Sequence, residues 1–574
     1  MLLPVAASSS LYAQEAIPPS ADARRVTQGP AVDGRLNEPV WQSATAITEF
    51  RQQEPAEGEL SSEPTEVRII YDDVQLYIGV VVTDSEPSEI RATELRRDNN
   101  LESDDSFAVI LDTNHDHRNA FMFRINPRGT RFDALIRNES AFVTANWDEQ
   151  WTAAAVLTET GWSAEIAIPF KILRFSAAKD QLWGVNFERV IKRKNESSYW
   201  AGWDRDYMFT NVSQAGHLTG IRDIRQAERL RIRPYVLGGI EKFNASTDPA
   251  RRFVREVGLD DVKFALTSSL TADLTVNTDF AQTEADTQQI NLTRFSLFFP
   301  EKRQFFIEGS DSLRMTVGFL HFGPPPLEVF YSRRVGLSDS GESVPLAAGG
   351  KLTGKVGGFD VGVLNVQSGK HLGRPGENFF VGRVRKDIFQ RSFIGAIFTN
   401  RQGGDRFNRV AGADARFVFM RYLNIAALAV KSIDSGRNGK GWVRQGGIEW
   451  RADKLEAGMN YIGVDPDFKP GMGFVRRHDR LFGQRISFRP RPGGTLIRQL
   501  EFTPTNVAYY NDAGSLLSRT SQMQVAASFQ SGDRIEINQS NVAERLLRPF
   551  NLTSVTIPVG RYTWNESAIT LRVP

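Results

Sequence analysis

Four consecutive residues, Asn146-Trp147-Asp148-Glu149, bring together the groups that hold a sugar. A pyranose has apolar faces that stack on an exposed indole, and its hydroxyls pair with carboxylates, amides and arginine. The tetrapeptide falls between a strand ending near Ile136 and one opening at Trp151, so it reads as a loop that can present its ring. The competing reading closes the edge of a core with Trp147. Arg96, Arg97 and Asp98, followed by Asp104 and Asp105 at the entrance of the next strand, extend the polar rim. The carbohydrate-binding candidates are therefore Trp147, Asp148, Asp98, Asp104 and Asp105. Trp41, Trp162 and Trp183 lie in apolar strand or lid patterns and are expected to be structural.

Two carboxylates side by side also suggest glycoside hydrolysis, which needs a pair roughly 5 to 10 Å apart. Neighbours on a strand point to opposite faces, so Asp104 and Asp105 cannot share one site without a bulge, and no catalytic residue is assigned. Asp112-Thr113-Asn114-His115-Asp116 begins like a calcium loop with oxygen donors at alternate positions. His117 stands where such a loop needs glycine and Phe123 where it needs a bidentate glutamate, so a solvated turn fits better. His115 and His117 would share a strand face, with no third metal ligand evident. No phosphate loop, nucleophile elbow or zinc-protease helix is present, and no organic cofactor is implied.

The 574 residues include no cysteine, which removes disulfides and thiolate chemistry, and 70 Lys+Arg nearly balance 68 Asp+Glu. A net charge of +2 without a basic motif gives no case for nucleic acid. No run reaches the roughly 18 to 20 apolar residues of a membrane helix. A mean hydropathy of -0.33 remains compatible with a β-barrel, in which only alternate residues meet lipid. Residues 1–16 read as the remnant of a secretory signal, with small residues and a cleavage site near Leu11-Tyr12-Ala13-Gln14, followed by a linker over 17–27.

The chain changes character near residue 225. Seven of its 10 tryptophans (Trp41, Trp147, Trp151, Trp162, Trp183, Trp200, Trp203) precede residue 204. Short strands are expected there over Glu66 to Tyr71, Gln75 to Val82, Ser106 to Leu111, Ala120 to Asn126, Thr152 to Leu157, Trp162 to Ile168 and Trp183 to Ile191. Their spacing and turn residues predict a β-sandwich over 28–225. From Lys263 to Phe280, Phe264, Leu266, Leu270, Leu274, Val276 and Phe280 alternate with Lys263, Thr267, Thr271, Asp273, Thr275 and Asp279. A period of two sustained so long predicts one long two-faced strand or a hairpin whose loop keeps phase. Met523, Val525, Ala527 and Phe529 repeat the pattern against Gln522, Gln524 and Ser528, as do Trp442, Ile448 and Trp450 against Gln445, Glu449 and Arg451. About 14 to 16 such strands after residue 229, linked by turns such as Gly357-Gly358 and Gly403-Gly404, predict an antiparallel barrel over 226–574 with apolar residues outward and polar ones inward.

The run Val32-Asp33-Gly34-Arg35-Leu36-Asn37-Glu38-Pro39-Val40-Trp41, with Tyr71-Asp72-Asp73, Asp104-Asp105-Ser106-Phe107 and Gly161-Trp162-Ser163-Ala164-Glu165, resembles a family 9 carbohydrate-binding module over roughly 28 to 205. Asp273 to Phe280, Phe298-Phe299-Pro300-Glu301-Lys302-Arg303 and Phe330-Tyr331-Ser332-Arg333-Arg334 resemble a bacterial family in which such a module precedes an outer-membrane barrel domain of unknown function. The resemblance implies a sugar-binding sandwich on a barrel in a Gram-negative envelope, with outer-membrane lipid as a partner and calcium as an ion such modules can carry. The two tryptophans that clamp sugar in that family have no matched positions here.

Three functions are compatible with these residues: a carbohydrate-binding envelope protein, a channel with the sandwich as plug or adaptor, and a component of a carbohydrate-active enzyme. The chain's last residues, Leu571-Arg572-Val573-Pro574, stop in mid-pattern, which predicts an incomplete barrel.

Overall fold

A computed structural model describes residues 18–224, 230–242, 251–278, 295–315, 326–338, 343–370, 375–435, 441–552 and 555–573, apart from positions 100, 138, 140–141, 146, 268 and 390. The signal-like residues 1–16 lie outside the described residues.

The first half is a sandwich of a nine-stranded and a five-stranded sheet. In the larger, Trp183–Ile191 pairs with Ser106–Asp112, which continues to Ala120–Ile125 and Arg131–Arg137. In the smaller, Thr152–Thr158, Gly161–Pro169, Gln75–Thr83 and Thr65–Tyr71 follow one another antiparallel. Phe107, Val109 and Phe187 from one sheet meet Ile78, Val80 and Ile166 from the other in a single buried cluster. Each such side chain contributes about 1.5 to 3 kcal/mol on burial. Ser20–Asp22 and Arg24–Arg25, expected in a linker, instead pair in parallel with Gly216–Thr219 and Thr65–Tyr71. They extend both sheets, so the sandwich begins earlier than its sequence pattern indicates.

The second half is one 16-stranded antiparallel sheet from Leu230–Lys242 to Gly560–Arg572, with successive long strands as neighbours. Among the described residues these two outermost strands each pair on one side only. The alternation beginning at Lys263 is a hairpin: Arg251–Ala265 pairs with Leu270–Thr278 across a short connection that preserves phase. Phe264, Leu266, Leu274 and Val276 are exposed, while Thr271, Asp273 and Thr275 are buried. The same sense holds at Ile448, exposed, against Gln445 and Glu449, buried. The wall thus turns its apolar face outward and its polar face inward, the arrangement of a membrane barrel.

Charges on the inner face are paired. Arg383 donates to both Asp414 oxygens at 2.7 and 2.8 Å, and Lys351 lies 3.1 Å from Asp273. Described residues of the connection between Leu270–Thr278 and Leu346–Val356 also return to this face. Its Phe305, Phe306, Leu313, Leu327 and Phe330 pack against wall residues Val366, Val381, Val430 and Val443. Buried Arg303 holds the inserted segment together, donating to Glu301 at 2.8 Å and to the Ser332 and Val335 carbonyls at 2.9 and 2.8 Å. Leu327–Glu328 pairs with Phe474–Val475 from another connection.

Candidate functional site

The candidate residues separate into buried organisers and a surface group. Trp147 is buried, its ring 5.3 Å from Phe121 and 5.9 Å from Phe123, and belongs to the sandwich core. It presents no free face for stacking; the competing reading describes it. Asp104 is fully buried and accepts from the Thr93 N–H and hydroxyl, the Glu94 N–H and the Asn126 amide, at 2.8 to 2.9 Å. Burial opposes its ionisation, but these four donors hold its carboxyl below the usual range. Asp105 faces another set of partners and accepts from the Arg91 N–H at 2.8 Å. Burial pushes its carboxyl up. The two stitch the segment 91–105 to the sheet, in separate hydrogen-bond sets.

The surface group centres on Arg97, which gathers Asp98 and Asp148. Its Nε donates to Asp98 at 3.2 Å; Nη2 reaches Asp148, buried Asp133 at 3.1 Å and the Glu149 carbonyl at 2.7 Å. Asp98 adopts a left-handed backbone (φ 61°), and its Oδ1 is buried without a hydrogen-bond partner. Beneath lies Asp133, which accepts from the Trp151 indole at 2.9 Å and the Glu149 N–H at 3.1 Å. Burial pushes Asp133 up to about 6, against the pull of those donors and Arg97. The result is an arginine flanked by carboxylates, the donor and acceptor mixture that hydroxyl groups require.

Before residue 225, Trp203 is the only tryptophan that is not buried. Arg51 lies 5.3 Å over its ring, and Asp204 follows it directly. The rule that selected Trp147, an indole beside an acid in a loop, fits Trp203-Asp204 equally well; burial separates them, and that depends on distant strands.

The family-like motifs are joined to each other. Glu165 accepts from the Asp33 and Gly34 N–H groups at 2.8 and 2.9 Å and from the buried Trp41 indole at 2.9 Å. They tie the N-terminal lid over the smaller sheet, and Gly34 at φ 89° allows the close approach. Asp112 accepts from the Asp116 and His117 N–H groups at 3.1 and 2.7 Å, making a local turn. His115 Nε2 lies 3.1 Å from His217 Nδ1, and burial lowers the His115 pKa. Among the described residues no group of three histidine or acidic side chains is arranged to hold a metal ion.

Polar contacts fasten the sandwich to one end of the wall. Arg118 donates to the Ser392 carbonyl at 2.9 Å, Lys355 meets Asp116 at 2.7 Å, and Arg498 donates to the Asn195 carbonyl at 2.8 Å. Asp206 accepts from the Tyr422 hydroxyl at 2.8 Å and the Asp453 N–H at 2.7 Å, while Arg491 reaches Glu54 at 2.7 Å. Glu149, beside the Arg97 group, meets Arg231 of the first wall strand at 3.1 Å.

Residues 32–219 match the family described as carbohydrate family 9 binding domain-like, and residues 226–356 match a domain of unknown function (DUF5916). No curated protein matches the chain. Among solved structures, a family 9 carbohydrate-binding module from Caldicellulosiruptor kristjanssonii in complex with cellotriose is 15% identical, covering 35% of this chain and 93% of its own, with a TM-score of 0.25. A putative carbohydrate-binding protein from Bacteroides uniformis is 12% identical over 35% of this chain and 99% of its own, with a TM-score of 0.30. OccK7 (OpdD) from Pseudomonas aeruginosa is 8% identical over 91% of this chain and 96% of its own, with a TM-score of 0.25. The chain therefore carries a carbohydrate family 9 binding domain-like module followed by a DUF5916 domain.

Proposed function

We propose that this is a carbohydrate-binding protein of the Gram-negative cell envelope, with its sandwich held against an outer-membrane wall. The observation that carries the sugar reading is Arg97 with Asp98 and Asp148 at the surface of a family 9-like module. Binding is favoured over hydrolysis because Asp104 and Asp105 are both buried in separate structural hydrogen bonds. The full chain in detergent, titrated calorimetrically with oligosaccharides of plant, algal and bacterial glycans, is expected to bind at least one class. Arg97→Ala should abolish that binding, and no binding to any of them would overturn the assignment.

The lengths of the connections support a periplasmic position for the sandwich. The sandwich meets the end carrying the short turns 357–358, 420–422 and 452–454, whereas at the far end the longer connections join Leu270–Thr278 to Leu346–Val356, Leu455–Val464 to Arg480–Phe488, and Arg534–Leu546 to Gly560–Arg572. Outer-membrane barrels keep short turns in the periplasm and long loops outside. The sandwich accordingly faces the periplasm, and a protease added to intact cells should leave it uncut. The channel reading has a specific observation against it: the inserted segment packs its aromatic side chains on the inner face. Purified chain in planar bilayers is expected to show no steady open conductance.

A further inference from the structure

The outer surface of the wall carries a group of cations where an apolar band would be simplest. Arg409, Lys431 and Arg444 lie on three adjacent strands, Arg406–Phe419, Leu423–Asp434 and Gly441–Arg451. Arg409 pairs across to Ile433, two residues from Lys431; Arg444 pairs across to Ala429, again two residues from Lys431. Each neighbouring pair is thus a diagonal, about 7 to 8 Å between backbones. All three share the face of exposed Ile433 and Ile448, opposite buried Val410, Val430 and Val443.

Their depth is also defined. Each lies within four residues of the long-loop end of its strand, about 10 Å or less at 3.4 Å per residue. That is the headgroup level, where a lipid-facing Lys or Arg costs only about 0 to 1 kcal/mol, against 2 to 4 at the midplane. Aromatic rings hold the cations at this level: Arg409 lies 4.4 Å over Phe407, and both Lys431 and Arg444 lie 5.5 Å from Trp442. Arg444 has one acidic neighbour, Asp465, at 3.8 Å. Among the described residues Arg409 bonds only the neutral Asn400 amide oxygen, at 3.1 Å, and Lys431 makes no ion pair. Toward the middle of the wall, the directly paired small residues Ala415, Ala427 and Gly446 leave a shallow trough below the charges. Like charges this close repel, and a multivalent anion between them converts that repulsion into binding.

We propose that Arg409, Lys431 and Arg444 form a site for the phosphorylated headgroup of an outer-leaflet glycolipid, whose acyl chains run down the trough. The proposal rests on the membrane reading of the wall and the sidedness above.

The test uses the full chain in detergent and native mass spectrometry with three probes: a bisphosphorylated diglucosamine lipid, the same lipid without phosphates, and inorganic phosphate. The phosphorylated lipid is expected to be retained at least ten-fold better than either other probe, with the advantage lost in R409Q/K431Q/R444Q. Equal retention of both lipids, equal retention in the variant, or equally strong capture of inorganic phosphate would overturn it. Cell fractionation of the wild-type chain keeps the two readings apart. Recovery in the aqueous fraction would overturn the membrane reading and the lipid site with it; recovery in the outer membrane with equal lipid retention would overturn the lipid site alone.

Discussion

The same period-two alternation folds in opposite senses in the two halves. In the sandwich, Val67 and Ile69 turn inward and are buried, while Glu66 and Arg68 between them are half-buried. In the wall, Leu274 and Val276 turn outward, and Thr271, Asp273 and Thr275 are the buried residues. The pattern states that a strand has two faces; the surroundings decide which is covered. A sandwich satisfies its apolar faces by packing one sheet on another, whereas the wall offers its apolar face to a surrounding phase and pairs its charges within. The tryptophans follow this division: six of the seven in the sandwich are buried, while Trp442 and Trp564 lie near the long-loop ends of wall strands and Trp450 near the turn end. Such belts mark the two boundaries of a bilayer.

Substitutions can break this contrast. The largest effect is expected from Phe187→Ala, which empties a site among Phe50, Phe107 and Trp200 and should cost the sandwich about 3 to 5 kcal/mol. Tryptophan fluorescence, dominated by the sandwich, would record the loss while wall-strand circular dichroism persists. Next comes a matched pair at similar exposure, Leu274 in the wall and Leu182 in the sandwich. Leu274→Arg should cost about 2 to 4 kcal/mol in a bilayer, and Leu182→Arg within about 0.5 kcal/mol of zero. Equal small effects on urea unfolding in liposomes would erase the distinction.

A smaller effect concerns pH. Asp133 is raised to about 6 in the folded sandwich, so the folded state binds the proton more tightly than the unfolded chain. Its stabilising contribution is complete below the ordinary aspartate range and is lost as pH rises through about 6. Glu63, lowered to about 2 by Lys194 and Ser85 despite burial, has the reverse sign: its contribution is lost as pH falls toward 2. Asp133→Asn should flatten the decline in unfolding midpoint between about pH 4 and 6 and leave the acid limb unchanged. The smallest effect belongs to the joint: Asp206→Ala removes hydrogen bonds from Tyr422 and Asp453 and should shift the sandwich midpoint by about 1 kcal/mol or less.

The strands and the outward sense of the wall are legible because alternation and turn residues are local. Trp147 was not, because its burial depends on Phe121 and Phe123 from a separate strand. Asp104 and Asp105 could be assigned opposite faces from strand geometry, but the Thr93, Glu94 and Arg91 donors that occupy them come from a loop without pattern. The sequence places Arg97 in the polar rim beside Asp98, but its links to Asp133 and Asp148 depend on strands and loops distant in the chain. The return of the segment around Arg303 onto the inner face was also hidden, since its partners Glu301, Ser332 and Val335 form a local knot with no strand period.

The chain has no cysteine, so single cysteines can report the surroundings of each face without background. Leu274→Cys and Leu182→Cys, each carrying a fluorophore, would be compared in liposomes containing brominated lipid. Strong quenching at 274 and none at 182 is the expected result; absence of quenching at 274 in the folded, liposome-bound chain would contradict a lipid-facing wall.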